Sequence, residues 1–377
     1  MKKKLLVFAL ISFSFSAFFA CKKEEQVLIQ QTINDNIDKE IPITIQYLGK
    51  LLFYDPILSG KKDVACATCH HPDFAYADGR DLSIGVDGIG LGPNRKFLIS
   101  SFTKRKSQTI LNTAFNGMDA NGKYDSANAP MFWDSRAKSL EEQALIPIKS
   151  AVEMRADIYS EEVAIDSVLA RLRNIKEYQA LFATIFGGQP QPITSANLAK
   201  AIAAFERSLV AMNAPYDRYM RGETSAMTDL QIQGMSFFQI NGCGRCHTGN
   251  MFSDYQLHVL SVPDNPKASE SDNGSKGTYA FRTMSLRNVK LTAPYMHSGV
   301  FKTLDQVFDF YNLILNSKSQ NPNVPNTKID PLATILRPNN NSRTAIMAFI
   351  DALTDEKFDR SIPKTVPSGL SVGGNIK

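Results

Sequence analysis

Cysteine and histidine are scarce in this chain of 377 residues, which has five of each and a single tryptophan. Clear alternating strand patterns are also scarce, which argues against a mainly β fold. The charge is nearly balanced, because removing residues 1–20 takes away three lysines and leaves 39 Lys and Arg against 37 Asp and Glu. A basic patch and an acidic tail are both missing, and this excludes nucleic acid as a partner.

Four of the five cysteines fall in two copies of one pattern, CATCH at 66–70 and CGRCH at 243–247. C-x-x-C-H is the pattern of c-type haem attachment. One helical turn places both thiols along one edge of the porphyrin and brings the histidine beneath the iron. Zinc is the alternative, but each cluster offers three ligands where zinc takes four. The sequence therefore predicts two covalent haem c groups, held by Cys66, Cys69, Cys243 and Cys246, with His70 and His247 as proximal iron ligands.

The first twenty residues predict an export signal. A lysine-rich start is followed by an apolar run of about sixteen residues, shorter than the roughly twenty that span a membrane. Cys21 follows Phe-Phe-Ala, which resembles a lipoprotein signal box except for Phe18 in place of the usual leucine. An ordinary cleaved signal with an unpaired cysteine is the alternative. We expect an exported, periplasmic lipoprotein anchored through a lipid on Cys21, and the KKEE that follows resembles a surface-display tag.

Helical signals dominate the rest of the chain. Capping boxes at Ser139–Glu142 and Thr228–Gln231 and an amphipathic run from Ser195 predict helices, while 79–130 and 259–280 are typical of long loops. We predict a mostly α fold of two cytochrome c-like haem domains with long loops, one domain for each haem motif. The predicted segments are a signal peptide (1–20), a lipid-linked tether (21–44), an N-terminal haem domain (45–205), a C-terminal haem domain (206–358) and a flexible tail (359–377).

The segment 129–154 contains the only tryptophan, Trp133, followed at intervals of ten residues by Gln143 and Glu153. This segment resembles the signature of the bacterial di-haem cytochrome c peroxidases and of their relative MauG, the di-haem enzyme that matures methylamine dehydrogenase. The resemblance runs from about residue 45 to 358. It also covers QTILNTAFN (108–116), AAFERSLV (203–210), CGRCHTGNMFSD (243–254) and SLRNVKLTAPYMHSGVFKTLDQV (285–307).

The resemblance implies that Glu153 is the acid and base of a peroxidatic N-terminal haem domain, taking a proton from hydrogen peroxide and returning it to the leaving oxygen. Gln143 would orient the peroxide and its waters, and Trp133 would relay electrons from the C-terminal haem. The chemistry agrees, because a carboxyl group in a dry pocket has a raised pKa and can both accept and donate a proton near neutrality. Without the resemblance, solvated side chains at 143 and 153 and a core tryptophan are the ordinary interpretations.

A peroxidase needs one iron with an open face, whereas an electron carrier has both irons closed. Family peroxidases often carry a histidine in the loop after the first haem, where SIGVDGIG has Val86, so the resemblance implies an open N-terminal iron as in MauG. It also implies Tyr311 as the sixth ligand of the C-terminal iron, a position with tyrosine in MauG and methionine in the peroxidases. Met296 is the rival ligand, and a core tyrosine hydrogen-bonded elsewhere is the alternative for Tyr311.

Relatives hold calcium between the domains through an asparagine, and Lys106 stands at that position, which argues against calcium here. His71 is expected to be a loop or propionate-side residue, because it is adjacent to a ligand and cannot turn back onto the same iron, and His258 and His297 are expected to form structural hydrogen bonds. The expected activity is reduction of hydrogen peroxide to water with electrons from a small cytochrome or another redox protein. MauG-like oxidation of a partner protein and a non-catalytic two-haem carrier are the alternatives. The other expected partners are the membrane, through Cys21, and a second copy of the chain in a homodimer.

Overall fold

The computed structural model describes residues 42–97, 101–119, 121–315 and 318–377. The predicted signal peptide, Cys21 and nearly all of the predicted tether lie outside these ranges. Within them the fold is mostly helical, which confirms the predicted class, and β structure is limited to two short antiparallel ladders and a few single bridges. Across the same ranges, we find no helix that combines the length and the apolar character needed to cross a membrane.

The helices of the described ranges are α1 (Ile45–Tyr54), α2 (Cys66–Cys69), α3 (Leu140–Lys149), α4 (Ala164–Arg173), α5 (Lys176–Ile185), α6 (Ser195–Ser208), α7 (Pro215–Met220), α8 (Asp229–Ile240), α9 (Leu304–Ile314), α10 (Pro331–Thr334) and α11 (Asn340–Ala352). A single turn of π-helix, Ala151–Arg155, follows α3. Strand β1 (Gly88–Ile89) pairs with β2 (Lys96–Phe97), and β3 (Leu257–His258) pairs with β4 (Phe281–Arg282).

The predicted helix starts are present. The hydroxyl of Ser139 accepts a hydrogen bond from the backbone N–H of Glu142 at 3.1 Å, at the start of α3. Thr228 and Gln231 cap α8 reciprocally, as a capping box requires. The amphipathic run from Ser195 is α6. These starts were predictable because each depends on residues within one turn of chain.

Two helix crossings of the same kind organise the two halves. Helix α1 crosses α6 at Gly49, where a Cβ atom would collide with the backbone carbonyl of Ala201. Helix α8 crosses α11 at Gly234, where a Cβ atom would collide with the carbonyl of Ala345. Glycine allows two helix backbones to approach this closely, because it has no side chain. One haem motif follows each of the glycine-bearing helices, so each motif is attached to a tightly crossed helix pair.

Separate apolar cores surround these crossings. Leu52 and Phe182 are fully buried in the core of the N-terminal half, and Phe349 with Phe238 lies in that of the C-terminal half. Burial of one such side chain contributes about 1.5–3 kcal/mol to folding. The boundaries of the two haem domains, drawn at 205 and 358, stay predictions.

The prediction of a flexible tail over 359–377 is corrected by the structure, because this segment packs against the N-terminal half. Gly374 forms an antiparallel bridge with Val64, and the Thr68 hydroxyl donates a hydrogen bond to the carbonyl of Gly373 at 2.8 Å. The tail lacks hydrophobic periodicity because it is held by backbone hydrogen bonds and by turns. Both glycines have a positive φ, which residues with a Cβ atom rarely adopt.

Candidate active site

The two predicted proximal histidines are oriented in the same way. Nδ1 of His70 donates a hydrogen bond to the carbonyl oxygen of Tyr76 at 3.1 Å, and Nδ1 of His247 donates one to that of Phe252 at 3.0 Å. Because a carbonyl oxygen only accepts, each Nδ1 carries the proton and each Nε2 keeps its lone pair for a metal. Burial lowers the pKa of both imidazoles, which keeps them in the neutral form that metal binding requires.

The motif cysteines also fit haem attachment. Among the described residues they form no disulfide. Burial raises the pKa of Cys69 to about 12 and that of Cys243 to about 11. Cysteines that act as redox groups have lowered pKa values, so the raised values of Cys69 and Cys243 do not suit that role.

A cavity of about 260 Å³ lies beside the second motif. His247, Trp133, Lys106 and Arg282 are among the residues that line it. Nη1 of Arg282 is buried and has no hydrogen-bond partner in the part of the chain that the structure describes. A haem carries two propionate carboxylates, and buried cations that lack a partner are the groups that bind them. The cavity therefore offers His247 to the iron of a haem and the cation of Arg282 to one of its propionates.

Both candidate sixth ligands of the C-terminal iron line this cavity. Tyr311 is half-buried and lies close enough to Cys243 and Cys246 to feel their charge, and desolvation raises its pKa well above the ordinary value for tyrosine. Met296 has a φ of 68°, a backbone conformation that is unusual for a residue with a side chain. The structure brings both side chains to the cavity, so Tyr311 stays a prediction with Met296 as its rival.

Glu153 and Gln143 lie on consecutive elements, the π-helical turn and α3. The backbone N–H of Glu153 donates a hydrogen bond to Ser150 Oγ at 3.3 Å, which starts the turn. Burial raises the pKa of Glu153, while Arg136 and Ser150 lower it to a smaller extent, and the Glu153 charge in turn raises the pKa of Cys69. The Oε1 atom of Gln143 is buried with no partner among the described residues. A half-buried carboxyl group near the first haem motif and a buried amide oxygen with unused hydrogen-bonding capacity are suited to a small polar ligand.

The loop SIGVDGIG packs directly against the turn that carries Glu153. Val86 is buried, and its backbone N–H donates a hydrogen bond to the carbonyl of Val152 at 3.3 Å. A Cβ atom on Gly85 would collide with the carbonyl oxygens of Val152 and Glu153. The guanidinium of the buried Arg95 donates a hydrogen bond to the carbonyl of Gly85 at 2.6 Å. Val86 is thus a buried apolar side chain in an anchored loop.

Trp133 contacts both haem regions through short links. It lines the cavity of the second motif, and its indole Nε1 donates a hydrogen bond to the carbonyl of Lys106 at 2.9 Å. The next residue, Ser107, donates from its hydroxyl to the carbonyl of Cys69 in the first motif at 2.8 Å. Two hydrogen bonds and the Lys106–Ser107 backbone therefore link Trp133 to the first motif, and its place between the two haems stays a prediction.

Three charged residues of these sites were not found from the sequence. Arg282 and Arg95 were missed because nothing local marks an arginine as buried. Glu206 is 4% exposed and burial raises its pKa to about 8. It belongs to the matched stretch AAFERSLV, but a charged residue on an amphipathic helix is ordinarily exposed.

The histidines expected to have structural roles include His258, which is hydrogen-bonded to the carboxylates of Asp254 and Asp330 at 2.9 and 2.7 Å.

Comparison with known proteins agrees with this geometry. A family model for the di-haem cytochrome c peroxidases matches residues 44–225. The chain is 32% identical over 278 residues to the methylamine utilization protein MauG of Methylophilus methylotrophus, covering 72% of this chain and 73% of that protein. It is 35% identical over 262 residues to the cytochrome c551 peroxidase of Pseudomonas aeruginosa, covering 67% of each.

Solved structures share the fold. A MauG-like protein associated with microbial copper homeostasis superposes with a TM-score of 0.67 at 26% identity, over 85% of this chain and 91% of that one. The di-haem peroxidase BthA of Burkholderia thailandensis superposes with a TM-score of 0.63 at 21% identity, over 86% of this chain and 89% of that one.

Proposed function

The chain belongs to the di-haem cytochrome c peroxidase and MauG family of oxidoreductases, and we propose that it reduces hydrogen peroxide to water with electrons from a reduced cytochrome or a similar donor. The observation that carries this proposal is Glu153, a half-buried carboxyl group close enough to Cys69 of the first haem motif for its charge to raise the pKa of that thiol. A haem held there by Cys66, Cys69 and His70 would supply the iron at which peroxide is reduced.

Glu153 moves the proton in this proposal. Reduction of one hydrogen peroxide consumes two electrons and two protons and yields two waters. The Glu153 carboxylate accepts the proton of one peroxide oxygen and returns it to the other, which leaves as water; the two further protons complete the second water and come from solvent. Gln143 holds the peroxide through hydrogen bonds of its side-chain amide. The raised pKa of Glu153 suits both steps, because its acid and base forms then interconvert closer to neutral pH.

Trp133 carries the electrons in this proposal. It lines the second haem cavity and is linked to Cys69 through Lys106 and Ser107. Its indole N–H is already bonded to a backbone carbonyl, so the ring is held in one orientation. Electrons that enter at the C-terminal haem would pass Trp133 on their way to the first motif.

Val86 supports a peroxide site that is open in the resting oxidised protein. Its buried side chain cannot bind iron, and the anchored loop around it has no ligand to release. The same observation favours a second function, oxidation of a partner protein, because it makes the site resemble that of MauG, to which the chain is 32% identical over the aligned 278 residues. Steady turnover of peroxide with a reduced cytochrome would favour the peroxidase. A haem spectrum that changes on addition of peroxide, without such turnover, would favour the second function.

Replacement of Glu153 by glutamine tests the proposal. Glu153→Gln keeps the size of the side chain, so both haems should remain attached while peroxide turnover falls by about 10²-fold or more, the usual contribution of a general acid and base. Glu161→Gln removes the same charge from an exposed position in the segment after the turn and should leave turnover unchanged. Retained turnover in Glu153→Gln would exclude this residue as the base. If both irons are low-spin and their spectra do not change on addition of peroxide, the protein is a non-catalytic electron carrier.

The cellular location is a proposal from the sequence alone. We propose that the protein is exported to the periplasm and anchored by a lipid on Cys21, with surface display and a homodimer as further predictions. Membrane fractionation of the wild type and of Cys21→Ser tests the anchor, since only the wild type should sediment with membranes. Sedimentation velocity of the purified protein tests the dimer.

A further inference from the structure

Lys106 is a buried lysine whose charge has little local compensation. The residue is 5% exposed, and its Nζ atom donates a hydrogen bond to the carbonyl of Ser107 at 3.3 Å. Within the described ranges it forms no ion pair with a carboxylate. The preceding Arg105, by contrast, is paired with Asp134 at 2.6 Å and with Asp272 at 2.5 Å. A buried ammonium group held by one long hydrogen bond is unfavourable unless an anion accompanies it.

The carboxylate that acts on the charge of Lys106 is that of Asp78. It lies close enough to raise the pKa of Lys106, although burial lowers that pKa to about 8. Asp78 is itself 2% exposed, and its Oδ2 atom has no hydrogen-bond partner among the described residues. The two groups therefore influence each other without an ion-pair contact, and each retains unused hydrogen-bonding capacity.

The position of Lys106 connects both haem regions. Its backbone carbonyl accepts the hydrogen bond of Trp133, and its backbone N–H donates to the carbonyl of His297 at 2.9 Å. Its neighbour Ser107 bonds to the first haem motif. Lys106 also lines the cavity of the second motif, together with Arg282. The lining of the cavity thus includes two buried cationic residues, and the cofactor carries two carboxylates.

We propose that the ammonium group of Lys106 is the counter-ion of a haem propionate beside Trp133, with Arg282 as the second cation of the C-terminal haem site. This inference rests on haem binding and does not depend on peroxidase activity. A propionate completes the hydrogen bonds of the ammonium group and stabilises its charged form. The retained positive charge favours the reduced state of the haem to which the propionate belongs, because it offsets the electron that arrives.

A redox titration of each haem tests the proposal. In Lys106→Met the equilibrium between the C-terminal haem and a reference dye should shift towards the oxidised haem by about tenfold, which is 59 mV for a one-electron couple. Lys106→Arg keeps the charge and should keep most of the potential. The matched control is Lys104→Met, two residues before Lys106, which removes the same charge. The Lys104 side chain is 48% exposed, so its charge is screened by solvent and its removal should leave the potential unchanged.

Resonance Raman spectra give a second readout that requires only folded variants. A guanidinium binds a carboxylate in a forked arrangement and an ammonium does not, so the propionate bands of wild type and Lys106→Arg should differ. Unchanged potentials in haem-loaded Lys106→Met would overturn the proposal. If Lys106→Met does not take up haem, identical propionate bands in wild type and Lys106→Arg would overturn the proposal. A potential shift that disappears in an Asp78→Asn background would identify Asp78 as the partner and also overturn it.

Discussion

The imidazole of His297 lies flat against the ring of Phe281, with ring centroids 3.5 Å apart and planes inclined by 9°. Trp133 also packs against His297, with ring centroids 6.4 Å apart in an edge-to-face arrangement. Burial lowers the pKa of His297 to about 4, so the imidazole packs as a neutral ring at neutral pH. Trp133 is therefore fixed by ring packing and by its hydrogen bond to Lys106, and needs no rearrangement when an electron passes.

Trp133→Phe should slow the transfer of electrons between the haems by at least about tenfold, because phenylalanine is harder to oxidise than tryptophan and cannot donate the hydrogen bond to Lys106. Stopped-flow spectra recorded after peroxide is mixed with the reduced protein measure this step. Phe97→Leu is the control, since Phe97 is 41% exposed and lies away from the cavity. Equal rates in Trp133→Phe and wild type would remove the tryptophan from the path.

Peroxide turnover should lose activity towards acid pH at a pKa above the ordinary glutamic acid value of about 4.3, because Glu153 accepts a proton only when ionised and burial raises its pKa. The activity then rises with pH through that raised pKa. Ser150 bonds to Glu153 and lowers its pKa, so Ser150→Ala should move the acid limb of kcat/KM to higher pH. A limb at the ordinary glutamic acid value, unmoved in Ser150→Ala, would contradict the assignment.

Gly85→Ala should displace the turn that carries Glu153, because the added Cβ atom has no room beside the backbone of Val152 and Glu153. Overpacking of this kind costs about 1–3 kcal/mol of stability, and we expect turnover to fall by at least tenfold while both haems stay attached. Gly187→Ala is the control, since that glycine is exposed and its Cβ atom would meet only the carbonyl oxygen of Ala183, at 3.1 Å. Wild-type turnover in Gly85→Ala would show that the contact does not position the carboxyl group.

Glu206 should make the protein less stable as pH rises. Its pKa is about 8 in the folded chain and near 4.5 when unfolded, so between these values the folded state holds a proton that the unfolded state has released. The stability is fully present below the unfolded value and is lost as pH rises through the folded one, by up to about 5 kcal/mol. Denaturant titrations of the haem-loaded protein at pH 5 and pH 8.5 measure it. Glu206→Gln should flatten this dependence, and an unaltered slope would refute the pKa.

The sixth ligand of the C-terminal iron should be identified by spectra of two variants. If Tyr311 binds the iron, Tyr311→Phe changes the oxidised spectrum of that haem and Met296→Leu leaves it unchanged. Both residues line the same cavity, so each is the natural control for the other. The reverse outcome would make Met296 the ligand and Tyr311 a packed core residue.

Sequence reasoning was most successful where chemistry is local. The haem motifs and the cap at Thr228 depend on spacings of a few residues, and the family signature of Trp133, Gln143 and Glu153 lies within a single segment. Burial of a charge, as at Lys106, depends instead on which distant segments close over it. The segment after 358 was misjudged for a related reason, because backbone hydrogen bonds to distant partners leave no trace in side-chain periodicity.

The matching glycine crossings of α1 with α6 and of α8 with α11 have an evolutionary consequence. Two units that share a crossed helix pair, a C-x-x-C-H motif and a histidine bonded to a backbone carbonyl are the expected product of tandem gene duplication. The shared parts are those that hold a porphyrin, and Val86 and Tyr311 lie outside them. Ancestral single-unit cytochromes reconstructed from either half should therefore resemble each other more closely than the present halves do.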